Sequence, residues 1–172
     1  GNDRYILGSE VPNWTGSLTN RFSYKGFDLS ILIYARIGQT ILSGFHRDNN
    51  QLAGRYQQIK VDYWTPNNPT NEFPRPNKDQ EFPVYNQTLI YFDGSFVKIR
   101  NINFGYTVPT SFCKKFGCES LRIFASIQQP KIWSTYMSKY NGVDPEVAEG
   151  NNTGSGVTPA TTVTTAGLNI RF

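Results

Sequence analysis

The sequence predicts an all-β chain whose antiparallel strands belong to a membrane-spanning barrel. Three observations carry that prediction. Five segments alternate apolar and polar residues with period two, as a strand with two unlike faces requires. The connections come in two sizes, as they do in outer-membrane barrels, where short turns face the periplasm and long loops face outside. Aromatic side chains gather near one end of the strands, the position of an interfacial girdle.

The first strand falls near residues 14–24, with Leu18, Phe22 and Tyr24 opposing Ser17, Thr19, Arg21 and Ser23. Tyr24-Lys25-Gly26-Phe27 then suits a tight hairpin. The second strand, near 27–37, has Phe27, Leu29, Ile31, Ile33, Ala35 and Ile37 on one face; Asp28, Ser30, Tyr34 and Arg36 take the other, with Leu32 as the exception. A long loop, Gly38 to Gly94, follows, in which Leu52 to Tyr63 suits a short helix.

The third strand, near 95–108, starts with Val97 and Ile99 and changes phase to Ile102, Phe104, Tyr106 and Val108. The slip near Arg100-Asn101 predicts a β-bulge, or a strand end rising above the apolar zone. After a short connection, Pro109 to Glu119, the fourth strand near 120–129 sets Leu121, Ile123, Ala125 and Ile127 against Arg122, Ser126 and Gln128, with Phe124 out of character. A second long loop, Pro130 to Ala160, leads to the fifth strand near 161–172. There Ala166, Leu168, Ile170 and Phe172 oppose Thr165, Gly167, Asn169 and Arg171. Structureless loops of such length are unusual in a compact soluble domain.

With the Tyr24–Phe27 turn in the periplasm, alternate crossings put both long loops outside and Phe172 in the periplasm. Phe22, Tyr24, Phe27, Phe104, Tyr106 and Phe172 then share one level. Five strands cannot close such a barrel, which needs about eight or more. Open edges would leave backbone groups that a bilayer cannot satisfy, so the chain is expected to be part of a longer polypeptide. The competing reading is a soluble β-sandwich, a carbohydrate-binding module, which predicts the same alternation.

Composition narrows the classes further. The 172 residues are 15% aromatic, with 10 Tyr and 12 Phe, and 17% charged, against roughly 25% in an average soluble domain. The net charge is +4 and no Lys/Arg run exceeds Lys114-Lys115, so no nucleic-acid partner is expected. The longest apolar run, Ile31 to Ala35, is far short of the roughly 20 residues of a spanning helix, whereas a barrel strand needs only about 9–11. The chain begins at Gly1 with no charged segment followed by an apolar one, so it carries no signal peptide, and an exported protein would contain it in processed or partial form. Cys113 and Cys118 are read either as a disulfide or as free thiols, and four-residue spacing without further ligands makes a poor zinc site. His46 is the only histidine and no catalytic motif surrounds it, so no enzyme, cofactor or metal is expected.

Seven stretches, in order, resemble the C-terminal region of the SusC/RagA family of TonB-dependent transporters of Bacteroidetes-type bacteria. They are Asp3-Arg4-Tyr5-Ile6-Leu7-Gly8 with Pro12 and Asn20; Phe22-Ser23-Tyr24-Lys25-Gly26-Phe27-Asp28-Leu29-Ser30; and Asp62-Tyr63-Trp64-Thr65-Pro66-Asn67-Asn68-Pro69-Thr70-Asn71 with Pro74-Arg75. Next come Asp93-Gly94-Ser95-Phe96-Val97-Lys98-Ile99-Arg100-Asn101-Ile102, Phe104-Gly105-Tyr106-Thr107-Val108-Pro109, Tyr140-Asn141-Gly142-Val143-Asp144-Pro145-Glu146-Val147 and the closing Gly167-Leu168-Asn169-Ile170-Arg171-Phe172. The resemblance covers nearly the whole chain. It departs at Gln129-Pro130, where the family often has Asn-Leu, and at the Cys113/Cys118 pair.

The resemblance implies the last strands of a barrel of about 22 strands with a plugged lumen. Plug, signal peptide and TonB-engaging segment would lie upstream. It further implies a SusD-like surface lipoprotein as lid, a dimer of transporter–lipoprotein pairs, and oligosaccharide or peptide cargo driven by TonB. Leu168, Ile170 and Phe172 resemble the signal read by the barrel-assembly machinery. Leu29, Ile31, Ile33, Leu121, Ile123 and Ile127 are expected to face outer-membrane lipid; Arg21, Arg36, Arg122, Asn169 and Arg171 to face the lumen or plug, where Arg suits plug carboxylates. Tyr63, Trp64 and Trp133, with Tyr136 beside them, read either as sugar-stacking platforms or as loop anchors. Asp144, Glu146 and Glu149 read as a solvated acidic loop rather than a calcium site.

Overall fold

The structure, a computed structural model, describes residues 5–49, 59–80, 86–147 and 160–172. Its elements in chain order are β1 (Trp14–Tyr24), β2 (Phe27–Ile37), β3 (Thr40–Leu42), α1 (Gly44–Asn49), β4 (Tyr91–Asp93), β5 (Phe96–Thr107), α2 (Thr110–Cys113), β6 (Ser120–Ser134), α3 (Thr135–Tyr140) and β7 (Val163–Arg171), with 3-10 turns at Asn86–Ile90 and Lys114–Phe116. No helix among the described residues is long and apolar enough to cross a membrane. The chain divides into two compact units: Thr15–Ala35, Val97–Ile132 and Ala160–Phe172 form one, and Gly1–Trp14, Arg36–Phe96 and Trp133–Pro159 the other.

The first unit is strand. β1, β2, β5, β6 and β7 form one sheet in that spatial order, an antiparallel meander with β1 and β7 at its open edges. Lys25 and Gly26 join β1 to β2 with φ of 47° and 87°, the two positive values that a two-residue hairpin of matching twist demands. Glycine is needed there because a Cβ at Gly26 would stand 2.6 Å from the Thr107 carbonyl oxygen.

The register of β6 on β7 pairs Leu121 with Ile170, Ile123 with Leu168 and Ala125 with Ala166; the alternate pairs are Arg122 with Asn169, Phe124 with Gly167 and Ser126 with Thr165. Phe124, the exception in the β6 alternation, thus stands on the polar face directly opposite a glycine. A Cβ at Gly167 would lie 2.5 Å from the Phe124 ring, so the ring covers the gap that the missing side chain leaves, an aromatic rescue of a glycine on an edge strand.

The β5 phase slip has a structural counterpart. Asn103 donates to Ser30 Oγ at 3.1 Å, so odd-numbered β5 residues there share the polar face of β2. Further up, the even-numbered Arg100 lies with its guanidinium 4.2 Å from the ring centre of Tyr34, on that same β2 face. A one-residue slip between Arg100 and Asn103 is the signature of a β-bulge.

The second unit shows structure within the two long connections. β3 pairs antiparallel with β4, Thr40 opposite Asp93 and Ile41 opposite Phe92, so the two ends of the 38–94 connection are zipped together. Ile41, Phe73 and Phe92 from that connection pack with Tyr136 from the 130–160 connection, and Val61, Leu89, Met137, Tyr140 and Val143 close around them. Segments far apart in sequence therefore share one apolar core. Residues 52–58 of the expected helix lie outside the described residues, while 59–62 carry no helix and Tyr63 bridges to Phe73. β6 also runs on to Ser134, beyond the expected end near Gln129, which itself adopts φ 51°.

Candidate functional site

Three surfaces carry the residues singled out in the sequence. The first is the apolar face of the five-stranded sheet. Strand pairing brings Leu121, Ile123, Leu168 and Ile170 side by side, uniting residues expected to meet lipid with the expected assembly signal. Leu168 and Ile170 are 61% and 50% exposed, and Phe172 projects beyond β7. Leu29, Ile31, Ile33 and Ile127 are half-buried. Near the turn end of β2 and β5, Phe27 stacks on Tyr106 at 4.3 Å between ring centres and on Phe104 at 5.9 Å. This aromatic cluster stands at one level of the sheet, where apolar rings with wet edges are stable.

The second surface is the polar face. Arg122 of β6 grips Asp28 of β2 through both nitrogens, Nη1 to Oδ1 at 2.5 Å and Nη2 to Oδ2 at 2.7 Å. The pair crosses over β5 at Gly105, where a Cβ would come within 2.7 Å of the Arg122 Cζ and of Asp28 Oδ1. Such two-pronged pairing holds the guanidinium in one plane. Arg171 pairs with Glu119 at 3.1 Å, and Asn169 lies opposite Arg122. Arg21 is exposed on β1. In the other unit Arg36 donates to Gln39 Oε1 at 3.3 Å and lies over the Phe96 ring.

The third surface is the second compact unit. Tyr63, Trp64 and Trp133 are exposed there. The motif that carries Tyr63 and Trp64 is braced from within: the Trp64 N–H donates to the Phe73 carbonyl at 3.0 Å, Thr65 and Asn68 exchange backbone bonds across Pro66-Asn67, and Asn68 Nδ2 donates to Asp62 at 2.8 Å. Proline second in a four-residue turn is pre-set for that geometry. The Asn68 and Thr70 bonds hold the Asp62 carboxyl below its usual range. Lys139 pairs with Glu72 at 2.7 Å, and that bond raises the lysine pKa. Asp144 accepts the Glu146 N–H at 2.9 Å, closing its own turn, while Glu149 lies outside the described residues.

Tyr136, grouped by sequence with the exposed aromatics, is instead wholly buried at 0% exposure. Its hydroxyl meets Ser43 Oγ at 2.6 Å, and Ser43 Oγ meets His46 Nδ1 at 2.8 Å. The directions follow from His46 Nε2, which lies 2.8 Å from the Tyr140 carbonyl oxygen. A carbonyl only accepts, so Nε2 carries the proton and Nδ1 accepts from Ser43. Ser43 in turn accepts from Tyr136 and from the His46 backbone N–H at 3.1 Å. Every group is satisfied with the imidazole neutral, and burial lowers the His46 pKa and raises that of Tyr136.

The Ser43–His46–Tyr136 cluster resembles a nucleophile and base in composition only. Ser43 is fully buried, so no substrate atom reaches it, and the cluster holds the core together. Sequence reasoning missed it because Tyr136 lies 93 residues from Ser43 and 90 from His46. It also missed the Asp28–Arg122 pair, 94 residues apart. The available signal was opposite charge at polar-face positions of β2 and β6 with a glycine between them.

No protein-family profile matches the chain. Over 180 residues it is 31% identical to the TonB-dependent receptor P3 of Formosa agariphila, an alignment covering 99% of this chain and 17% of that receptor. It is 24% identical over 151 residues to the TonB-dependent receptor SusC of Bacteroides thetaiotaomicron, covering 86% of this chain and 14% of that receptor. Its fold is similar to part of the RagAB peptide importer in its open-open state, with a TM-score of 0.71 at 22% identity over 97% of this chain and 18% of that one. The chain spans less than a fifth of the length of each.

Proposed function

This chain belongs to the SusC/RagA family of TonB-dependent receptors, and from that premise we propose that it supplies the last five strands of an outer-membrane barrel that imports oligosaccharides or peptides. It is a transport-family chain and not an enzyme, like the receptors to which it is related.

The single observation that carries the reading is the sheet itself. One face is a continuous apolar surface with Leu168 and Ile170 in the open, and β1 and β7 each have a free edge. A sandwich would need that face covered, and the soluble carbohydrate-binding alternative loses support accordingly. In a barrel of about 22 strands, lipid covers the face and neighbouring strands take the edges. Leu29, Ile31, Ile33, Leu121, Ile123 and Ile127 then meet lipid, while Arg21, Arg36, Arg122, Asn169 and Arg171 turn to the lumen and plug.

On this reading the β1–β2 hairpin and the Pro109–Glu119 turn are periplasmic. The two long connections are extracellular and bear Tyr63, Trp64 and Trp133 toward cargo or toward a SusD-like lipoprotein lid. The upstream plug engages TonB, which transmits energy from the inner membrane, and two transporter–lipoprotein pairs form a dimer. Leu168, Ile170 and Phe172 present the edge read by the barrel-assembly machinery. RagAB is a peptide importer, so peptide and glycan cargo are both to be tried.

The test uses the full-length gene in its own host. Outer-membrane fractionation should recover a heat-modifiable barrel, and uptake of labelled oligosaccharide or peptide should cease when TonB is deleted. Recovery of the protein in a soluble fraction, or uptake indifferent to TonB, would overturn the reading.

A further inference from the structure

The turn between β5 and β6 holds two free thiols, Cys113 and Cys118. It closes as a Schellman motif: the Cys118 N–H donates to the Cys113 carbonyl at 3.1 Å, and the Gly117 N–H donates to the Lys114 carbonyl at 3.3 Å. Gly117 sits between them in the left-handed region at φ 73°. This motif lays the side chain that follows the glycine against the side chain five residues earlier, a contact that is ordinarily apolar. Here the two side chains are Cys113 and Cys118, 1% and 8% exposed. Cys118 Sγ donates to the Cys113 carbonyl oxygen at 3.3 Å, Cys113 Sγ donates to the Val108 carbonyl oxygen at 3.7 Å, and both are free thiols. Backbone closure therefore sets the two cysteines side by side, the arrangement from which a cross-link between them can form.

We propose that Cys113 and Cys118 form a disulfide that staples this turn. The proposal rests on the periplasmic placement of the turn given above, since that compartment is oxidising. The oxidant is a dithiol–disulfide protein. A thiolate of the chain attacks its disulfide, forming a mixed disulfide and releasing one oxidant thiol. The second cysteine thiolate then attacks the mixed disulfide; the Cys113–Cys118 bond forms, and the second oxidant thiol leaves. Two electrons pass to the oxidant, and the two protons from the cysteines end on its thiols.

In the folded turn both sulfurs are buried, and burial beside Cys113 pushes the Cys118 thiol up, away from the reactive thiolate. Exchange therefore takes place as the turn forms, with the cysteines side by side and the sulfurs still within reach of the oxidant, and the finished bond is shielded afterwards. Among the described residues no group of three or more His, Cys, Asp or Glu side chains could hold a metal ion.

The experiment uses the full-length protein extracted from outer membranes directly into denaturant with a maleimide, with and without prior reduction, followed by mass spectrometry of the peptide that spans both cysteines. Without reduction that peptide should carry no maleimide and weigh about 2 Da less than the dithiol form, for the two hydrogens removed; after reduction it should carry two labels. Two labels without reduction would overturn the disulfide. An epitope inserted after Lys115 separates the two ideas. If it is hidden in intact cells while both thiols label freely, the disulfide fails alone. If antibody reaches it in intact cells, the periplasmic placement fails.

Discussion

Replacing Tyr136 by alanine tests whether the second compact unit is held by its own core. The ring is wholly buried, 5.1 Å between centres from Phe92 and 5.3 Å from His46. It also fills the space over Gly142, where a Cβ would stand 2.3 Å from its Cζ. Removing a buried aromatic costs about 3–5 kcal/mol, which multiplies the open population roughly a hundredfold to a few thousandfold. Tyr136→Phe keeps the packing and loses only the hydroxyl bonded to Ser43, at a cost of about 0.5–1.5 kcal/mol. Hydrogen exchange on the purified full-length protein reads both. The Trp64 amide, bonded to the Phe73 carbonyl, should lose protection strongly in Tyr136→Ala and mildly in Tyr136→Phe. Heat-modifiable migration, a property of the strands, should persist in both. Unchanged protection at Trp64 in Tyr136→Ala would refute the reasoning that this core holds the Tyr63-Trp64 motif in place.

Other expectations follow from the same geometry. Because burial lowers the His46 pKa, its contribution to stability is full above its ordinary value of about 6.5. It declines as acid protonates the opened state first, and is lost once the pH passes below the lowered folded value; the urea midpoint of the second compact unit should fall through that window in the wild type and less so in His46→Gln. Ile31→Arg should cost about 2–4 kcal/mol if its side chain meets the bilayer midplane, and wild-type barrel assembly in that variant would contradict the lipid placement. Gly105→Val should break the Asp28–Arg122 grip, whose partners are 38% and 39% exposed, so its ion-pair share is at most about 1 kcal/mol; thermal melting of the full-length barrel gives the loss, and a larger drop would point to backbone strain. Phe172→Ala should slow insertion without lowering the melting temperature of barrels already formed, read by pulse-chase of the heat-modifiable form.

Residues close in sequence made much of the fold readable. Alternation along Phe27–Ile37 and Thr161–Phe172 announces two-faced strands because neighbouring side chains on a pleated backbone point to opposite sides, whatever lies beyond them. Lys25-Gly26 announces a hairpin because positive φ is a property of single residues. The phase slip at Arg100-Asn101 was visible for the same reason. The resemblance to SusC and RagA also lay in short ordered stretches, and it drew the family from residues whose partners were still unknown.

What the chain alone left open are the matters that depend on register and on distant contacts. Phe124 broke its alternation until β7 set Gly167 opposite it. His46 read as a loop residue and Tyr136 as either a cargo contact or a loop anchor, because their burial arises only when the 38–94 and 130–160 connections meet. Asp28 and Arg122 gave no local sign of pairing, since β5 had first to run between their strands. Local dihedrals and side-chain period are written residue by residue, so the sequence by itself determined the strands, the tight turn and the family likeness. Burial and hydrogen-bond satisfaction are sums over groups brought together from far along the chain, and only the tertiary structure decided which loop aromatics are core and which stay open to a partner.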